Sequence, residues 1–109
     1  MSDPGDVLRR LSATIAARRA ADASQSYVAS LCAKGQDAVL KKVAEEAAET
    51  LLASKDGDTL HIVHEVADLW FHSLVLLAWH GLDADAIITE LERREGVSGL
   101  QEKAARTTK

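Results

Sequence analysis

Five acidic side chains carry the chemistry available to this sequence, and they fall into two groups about one helix-length apart. Glu45, Glu46 and Glu49 lie within Lys41-Lys42-Val43-Ala44-Glu45-Glu46-Ala47-Ala48-Glu49, and Glu65-Val66-Ala67-Asp68 follows. At ~100° per helical residue, Lys42, Glu45, Glu46 and Glu49 share one arc of roughly 100°, opposite Leu40, Val43, Ala47 and Leu51. In the second group His61, Glu65, Asp68 and His72 share a stripe about 60° wide. The residues around that stripe are apolar, from Ile62 and Val63 through Leu69, Trp70, Phe71 and Leu74 to Leu77. Carboxylates in such surroundings are costly to bury unless something positive meets them. No Lys or Arg lies between Asp56 and Leu91 to do so locally.

Paired helices offering Glu-x-x-Glu and Glu-x-x-Asp bring four oxygen ligands into one cleft, because i,i+3 residues share a face. All-oxygen ligation suits Mg²⁺ or Mn²⁺. Mg²⁺ commonly works with substrate phosphates and lowers the pKa of bound water, so the chemistry implied is attack of water on a phosphoanhydride. A di-iron bundle would want Glu-x-x-His on two helices; here Leu52 follows Glu49 at that spacing and Asp68 follows Glu65. The sequence has no Walker loop, no dinucleotide fingerprint and no Ser/His/Asp arrangement.

Plainer readings stand beside this one. Lys41 with Glu45 and Lys42 with Glu46 are i,i+4 pairs of a kind found on many solvated faces. Against that, Glu45 and Glu49 are like charges at i,i+4 with Glu46 beside them, a crowding that a cation would relieve. Glu65 and Asp68 could be members of a buried salt bridge, and His61 and His72 satisfied core histidines. His64 lies off the stripe and His80 at the helix end, and neither carries a role.

The elements that position these groups can be read from caps and breakers. Asp3-Pro4 starts a helix running to about residue 20, with Val7, Leu8, Leu11 and Ile15 inward and Arg9, Arg10, Arg18 and Arg19 on a solvated side. Ser26 caps a short helix ended near Gly35, with Tyr27 and Leu31 expected to pack inward. The first acidic helix covers roughly 36–54. Asp56-Gly57-Asp58 makes a turn, and Asp58 or Thr59 caps a helix that reaches His80 before Gly81. Asp83 caps a last helix ending in Arg93 and Arg94, where cations suit the dipole. Residues 96–109 read as a polar tail, so 1–95 is the domain. The 59–80 helix is apolar nearly all round and a chain this small can seldom enclose it alone. The expected fold class is therefore all-α, a bundle of four to five helices completed by oligomerisation, most simply a homodimer.

Composition narrows the classes. The 109 residues make one domain with a modest core, and 47% hydrophobic with 28% charged residues is an ordinary globular balance. A net charge of −4 argues against nucleic acid as a partner. One cysteine excludes a disulfide framework and suits a reducing, cytoplasmic setting. No apolar signal core opens the chain. Asp68, His72 and Ser73 interrupt the longest apolar run, Val66 to Trp79, which argues against a membrane span.

Taken together, Glu45-Glu46-x-x-Glu49 and Glu65-x-x-Asp68 resemble the signature of the all-α nucleoside triphosphate pyrophosphohydrolases, the MazG-like superfamily. Ser26-Tyr27, Leu31, Gly35, Lys41-Lys42, Leu69, His72 and Ser98-Gly99-Leu100-Gln101-Glu102-Lys103-Ala104-x-Arg106 narrow the resemblance to its phosphoribosyl-ATP pyrophosphatase family, of histidine biosynthesis. It covers the chain from Asp6 onward. It implies Mg²⁺-dependent hydrolysis of phosphoribosyl-ATP to phosphoribosyl-AMP and pyrophosphate. It further implies metal ligation by Glu46, Glu49, Glu65 and Asp68, with Glu45 a further ligand or the base that orients water. Lys42, with Lys41, would hold phosphate oxygens and offset charge in the transition state. Ala44 stands where the family has Gly, and Phe71 where it has Tyr. Two competing readings are a house-cleaning hydrolase of other nucleotides at the same metal site and a non-catalytic helical dimer module.

Overall fold

The computed structural model describes residues 3–107. They form six helices in the order α1 (Pro4–Arg18), α2 (Tyr27–Ala33), α3 (Gln36–Asp56), α4 (Thr59–Trp79), α5 (Ala84–Arg94) and α6 (Gly99–Thr107). Among the described residues there is no strand.

Helix starts follow short polar caps. Asp3 Oδ1 accepts the Gly5 amide at 3.0 Å with Pro4 at the first helical position of α1. Ser26 Oγ accepts from the Ala29 amide at 3.2 Å, and Asp58 Oδ1 accepts from Leu60 and His61. Two glycines make the corners. Gly57 ends α3 at φ 77 in the left-handed region. Gly35 joins α2 to α3 at φ 100, ψ 170, backbone space that an L side chain strongly resists.

Helices α3 and α4 are each 21 residues long, and only Gly57 and Asp58 separate them. A link that short folds them back as an antiparallel hairpin, which is the main packing pair of the chain. The apolar core lies toward one end of the hairpin, around the fully buried Ile15, Val39 and Val75, with Val28, Leu31, Leu74 and Ala78 against them. Helix α1 crosses α4 and meets α5, where the buried Ser12 hydroxyl accepts the Ala84 amide at 3.0 Å. Arg9 ties the same corner by pairing with Asp6 and Asp85. Arg19 donates to the Ala78 carbonyl at 2.7 Å and lies over the Trp79 ring.

The opposite end of the hairpin is less covered. Leu51, Leu52, Leu60 and Val63 are all exposed, Leu60 at 83%. By length and composition α4 could cross a membrane. However, Glu65, Asp68 and three histidines within it would be expensive in hydrocarbon.

Two expectations need correction. The bundle has six helices where four to five were expected, because residues 99–107 of the polar tail form a helix of their own. Ser98 and Gln101 cap its start reciprocally, each backbone amide bonding the other's side chain at 2.9 and 3.1 Å. Glu102 then ties α6 to α5 through Arg93 at 2.9 Å. Tyr27 does not pack inward beside the buried Leu31; it is half exposed. Its hydroxyl has a partner on α4 that holds it at the surface.

Gly35→Ala should destabilise the chain by ~1–3 kcal/mol, because alanine there must strain or shift the α2–α3 corner. Thermal unfolding checks this, and an unchanged melting temperature would contradict it.

Candidate metal centre on the α3–α4 hairpin

The hairpin brings the acidic groups face to face. Helix α3 contributes Glu46 and Glu49, and α4 contributes Glu65; one oxygen from each lies within 4.8 Å of the others. A second set on α4, His64, Glu65 and Asp68, meets the same distance, and Glu65 belongs to both. Glu65 thus links two overlapping groups, one reaching across to Glu46 and Glu49 on α3 and one running along α4 to Asp68.

Their burial is uneven. Glu46 and Glu65 are buried, at 5% and 7% exposure, while Asp68 and Glu49 reach solvent. Each buried carboxylate has one oxygen engaged. Glu46 Oε1 lies 3.4 Å from the Lys42 ammonium, and Glu65 Oε1 lies 3.2 Å from His61 Nε2. The other oxygen of each, Oε2, is buried without any hydrogen-bond partner. Leaving an acceptor of a charged group unmet costs about 1–3 kcal/mol or more. A cation between the helices satisfies both orphaned oxygens at once, and an oxygen-rich donor set of this kind fits a hard divalent ion. The residues present thus fit a metal.

The plainer pairings also exist, without displacing that fit. Lys41 and Lys42 reach Glu45 at 3.9 and 3.6 Å. Lys41 is well exposed, so its pair is solvent-screened and weak. Lys42 is two-thirds covered. Burial pulls its ammonium pKa down, but Tyr27, Glu46 and Glu45 together outweigh that and hold it above the ordinary lysine range. It stays charged at neutral pH. Glu65 and Asp68 have histidine neighbours, not Lys or Arg; His64 Nε2 stands 3.3 Å from Asp68 Oδ2.

His72 is a satisfied core histidine. Its Nδ1 lies 2.8 Å from the Asp68 backbone carbonyl, and its Nε2 lies 2.8 Å from the Tyr27 hydroxyl. A carbonyl can only accept, so the proton sits on Nδ1 and Nε2 accepts from Tyr27. This bond explains the surface position of Tyr27, whose ring also lies 6.4 Å from Phe71. Burial raises the Tyr27 hydroxyl pKa, and Glu46, Asp68 and Glu45 add to it against the pull of Lys42. The ring therefore stands within the electrostatic reach of the acidic cluster, on its α2 side.

Sequence reasoning passed over His64, which the structure places against Asp68 and Glu65. Its i,i+4 spacing to Asp68 is the signal the sequence carries for it, although it lies off the stripe through His61 and His72. An apolar hollow of about 320 Å³ lined by Leu8, Trp70, Leu77 and Ile87 lies elsewhere and holds none of the acidic residues.

Residues 8–95 match the family described as Phosphoribosyl-ATP pyrophosphohydrolase. The chain is 64% identical over 101 residues to the phosphoribosyl-ATP pyrophosphatase of Chromobacterium violaceum, covering 93% of this chain and 94% of that protein. The protein of that name from Aromatoleum aromaticum is 62% identical over 102 residues, 94% of each chain. That of Neisseria gonorrhoeae is 58% identical over 101, with 93% and 94% covered. The chain belongs to the phosphoribosyl-ATP pyrophosphohydrolase family.

Family membership makes it a hydrolase of a phosphoanhydride, in agreement with the chemistry inferred from its carboxylates. The matched segment contains the whole α3–α4 hairpin and stops before α6.

Glu65→Gln separates the metal centre from mere packing. In chelator the variant should melt at or above the wild-type temperature, because it removes a buried, half-satisfied charge. Addition of Mg²⁺ should then raise the wild type, by about 2.7 kcal/mol at a hundredfold excess over Kd, and not the variant. Equal shifts in both would show that Glu65 holds no cation.

Proposed function

We propose that the chain hydrolyses phosphoribosyl-ATP to phosphoribosyl-AMP and pyrophosphate, as a cytoplasmic enzyme of histidine biosynthesis. The observation that carries the reading is the pair of buried carboxylates, Glu46 and Glu65, whose unmet oxygens sit in a cluster shared with Glu49 and continued by Asp68. Family membership supplies the substrate class.

In this reading Glu46, Glu49, Glu65 and Asp68 hold Mg²⁺, with Mn²⁺ an effective substitute. The bound ion supplies charge neutralisation for the polyphosphate and acidifies coordinated water. The rest falls to the chain's own side chains. Lys42, aided by Lys41, binds phosphate oxygens and offsets the negative charge that builds in the transition state. Glu45 faces solvent beside Lys42 and orients the attacking water, or adds a ligand. His61 fixes the rotamer of Glu65, and His72 fixes the α4 backbone at Asp68. Residues 1–95 carry this activity.

A second copy of the chain completes the site. Leu51, Leu52, Leu60 and Val63 lie exposed at the hairpin end near the acidic cluster, a large apolar surface for a monomer. A homodimer, or a higher homo-oligomer, covers it while each subunit's hairpin provides one ligand set.

The direct test is pyrophosphate release from phosphoribosyl-ATP with and without Mg²⁺. Asp68→Asn and Glu49→Gln should each lower kcat/KM by ~100-fold or more while the protein stays folded. Release from dCTP or dUTP in preference to phosphoribosyl-ATP would move the chain to a house-cleaning role, and a folded wild type that releases none from any nucleotide would leave a structural module. Dilution tests the assembly: specific activity should fall as subunits separate, and a fully active monomer would sink the shared-pocket reading.

A further inference from the structure

The reading above uses carboxylate oxygens alone, yet one side of the cluster also offers an imidazole nitrogen. His64, Glu65 and Asp68 each place one ligand atom within 4.8 Å of the other two. Glu65 anchors the set from inside: its side chain is nine-tenths buried, and Oε2 has no partner. His61 engages the other oxygen, Oε1, and holds the carboxylate in place. His64 and Asp68 form the outer pair, their side chains 69% and 40% exposed, so an ion reaches them directly from solvent.

Donor type and spacing select the ion. Mg²⁺ takes oxygen ligands and binds imidazole poorly, whereas Zn²⁺ and Co²⁺ accept imidazole and carboxylate together. Donors ~2.0–2.1 Å from a tetrahedral ion stand about 3.3–3.4 Å apart. The separation of His64 Nε2 from Asp68 Oδ2 is 3.3 Å. Three protein donors leave a fourth position open, as in zinc sites that hold a water. We propose that His64, Glu65 and Asp68 form a second cation position at the solvent mouth of the cluster, selective for a borderline transition ion such as Zn²⁺ over Mg²⁺. It rests on the preceding reading only in sharing Glu65 and Asp68. That sharing has a consequence: an ion seated there withdraws two ligands from the oxygen site, so Zn²⁺ opposes Mg²⁺ through His64.

Calorimetric titration of the full chain with Zn²⁺ alone and with Mg²⁺ alone, for wild type, His64→Ala and His64→Gln, tests this without any assay of turnover. His64 is exposed, so both variants keep the fold. Zn²⁺ should bind the wild type more tightly than Mg²⁺ does. Both variants should lose ~10–100-fold in Zn²⁺ affinity and keep Mg²⁺ binding unchanged. In an imidazole ¹H–¹⁵N spectrum of the wild type, Zn²⁺ should shift the His64 nitrogens first. Wild-type Zn²⁺ affinity in both variants, an equal fall for the two ions, or a first shift at His61 or His80 would each overturn the second position. Absence of Mg²⁺ binding to the wild type would instead count against the oxygen site, and the Zn²⁺ comparison would still decide this one.

Discussion

Two negative charges buried opposite each other between α3 and α4 set the terms for the rest of the molecule. Glu46 and Glu65 are removed from water, and the chain supplies only half of what their oxygens need. Desolvation of a carboxylate is among the largest penalties a small domain can carry. Everything around the pair manages it. Lys42 and His61 each engage one oxygen, the antiparallel hairpin keeps the carboxylates in register, and the apolar core gathers at the other end, around Ile15, Val39 and Val75. The unmet oxygens mark a place where local stability is given up, which is how a candidate functional site differs from a well-packed interior.

Much of this could be read from residues alone, because its causes are local. Asp3, Ser26, Asp58 and Asp83 cap helices through bonds spanning two or three positions. Glu46 with Glu49 and Glu65 with Asp68 are placed by helical period, and a short Gly57-Asp58 link leaves little choice but an antiparallel pairing. Family resemblance added the substrate class, which spacing cannot give.

The parts that escaped depend on contacts across the fold. Tyr27 looks like a core residue by its spacing to Leu31, and only His72, 45 positions away, explains its half-exposed position. His64 gains meaning from carboxylates whose burial no local pattern announces. Helix α6 has few apolar residues to mark it, so the hydrophobic period is silent there. Its Ser98-x-x-Gln101 capping pair is the one local signal of its start.

The two-residue link between α3 and α4 has a bearing on how the protein comes into being. All of the clustered acidic side chains lie between residues 45 and 68, on helices that need close only one short turn to meet. Chain closure over so small a gap is cheap in entropy and fast. The acidic cluster is therefore a local product of the polypeptide, within reach while α5 and α6 are still unsynthesised. A nascent chain that has emerged only through α4 already holds the acidic residues of its own centre.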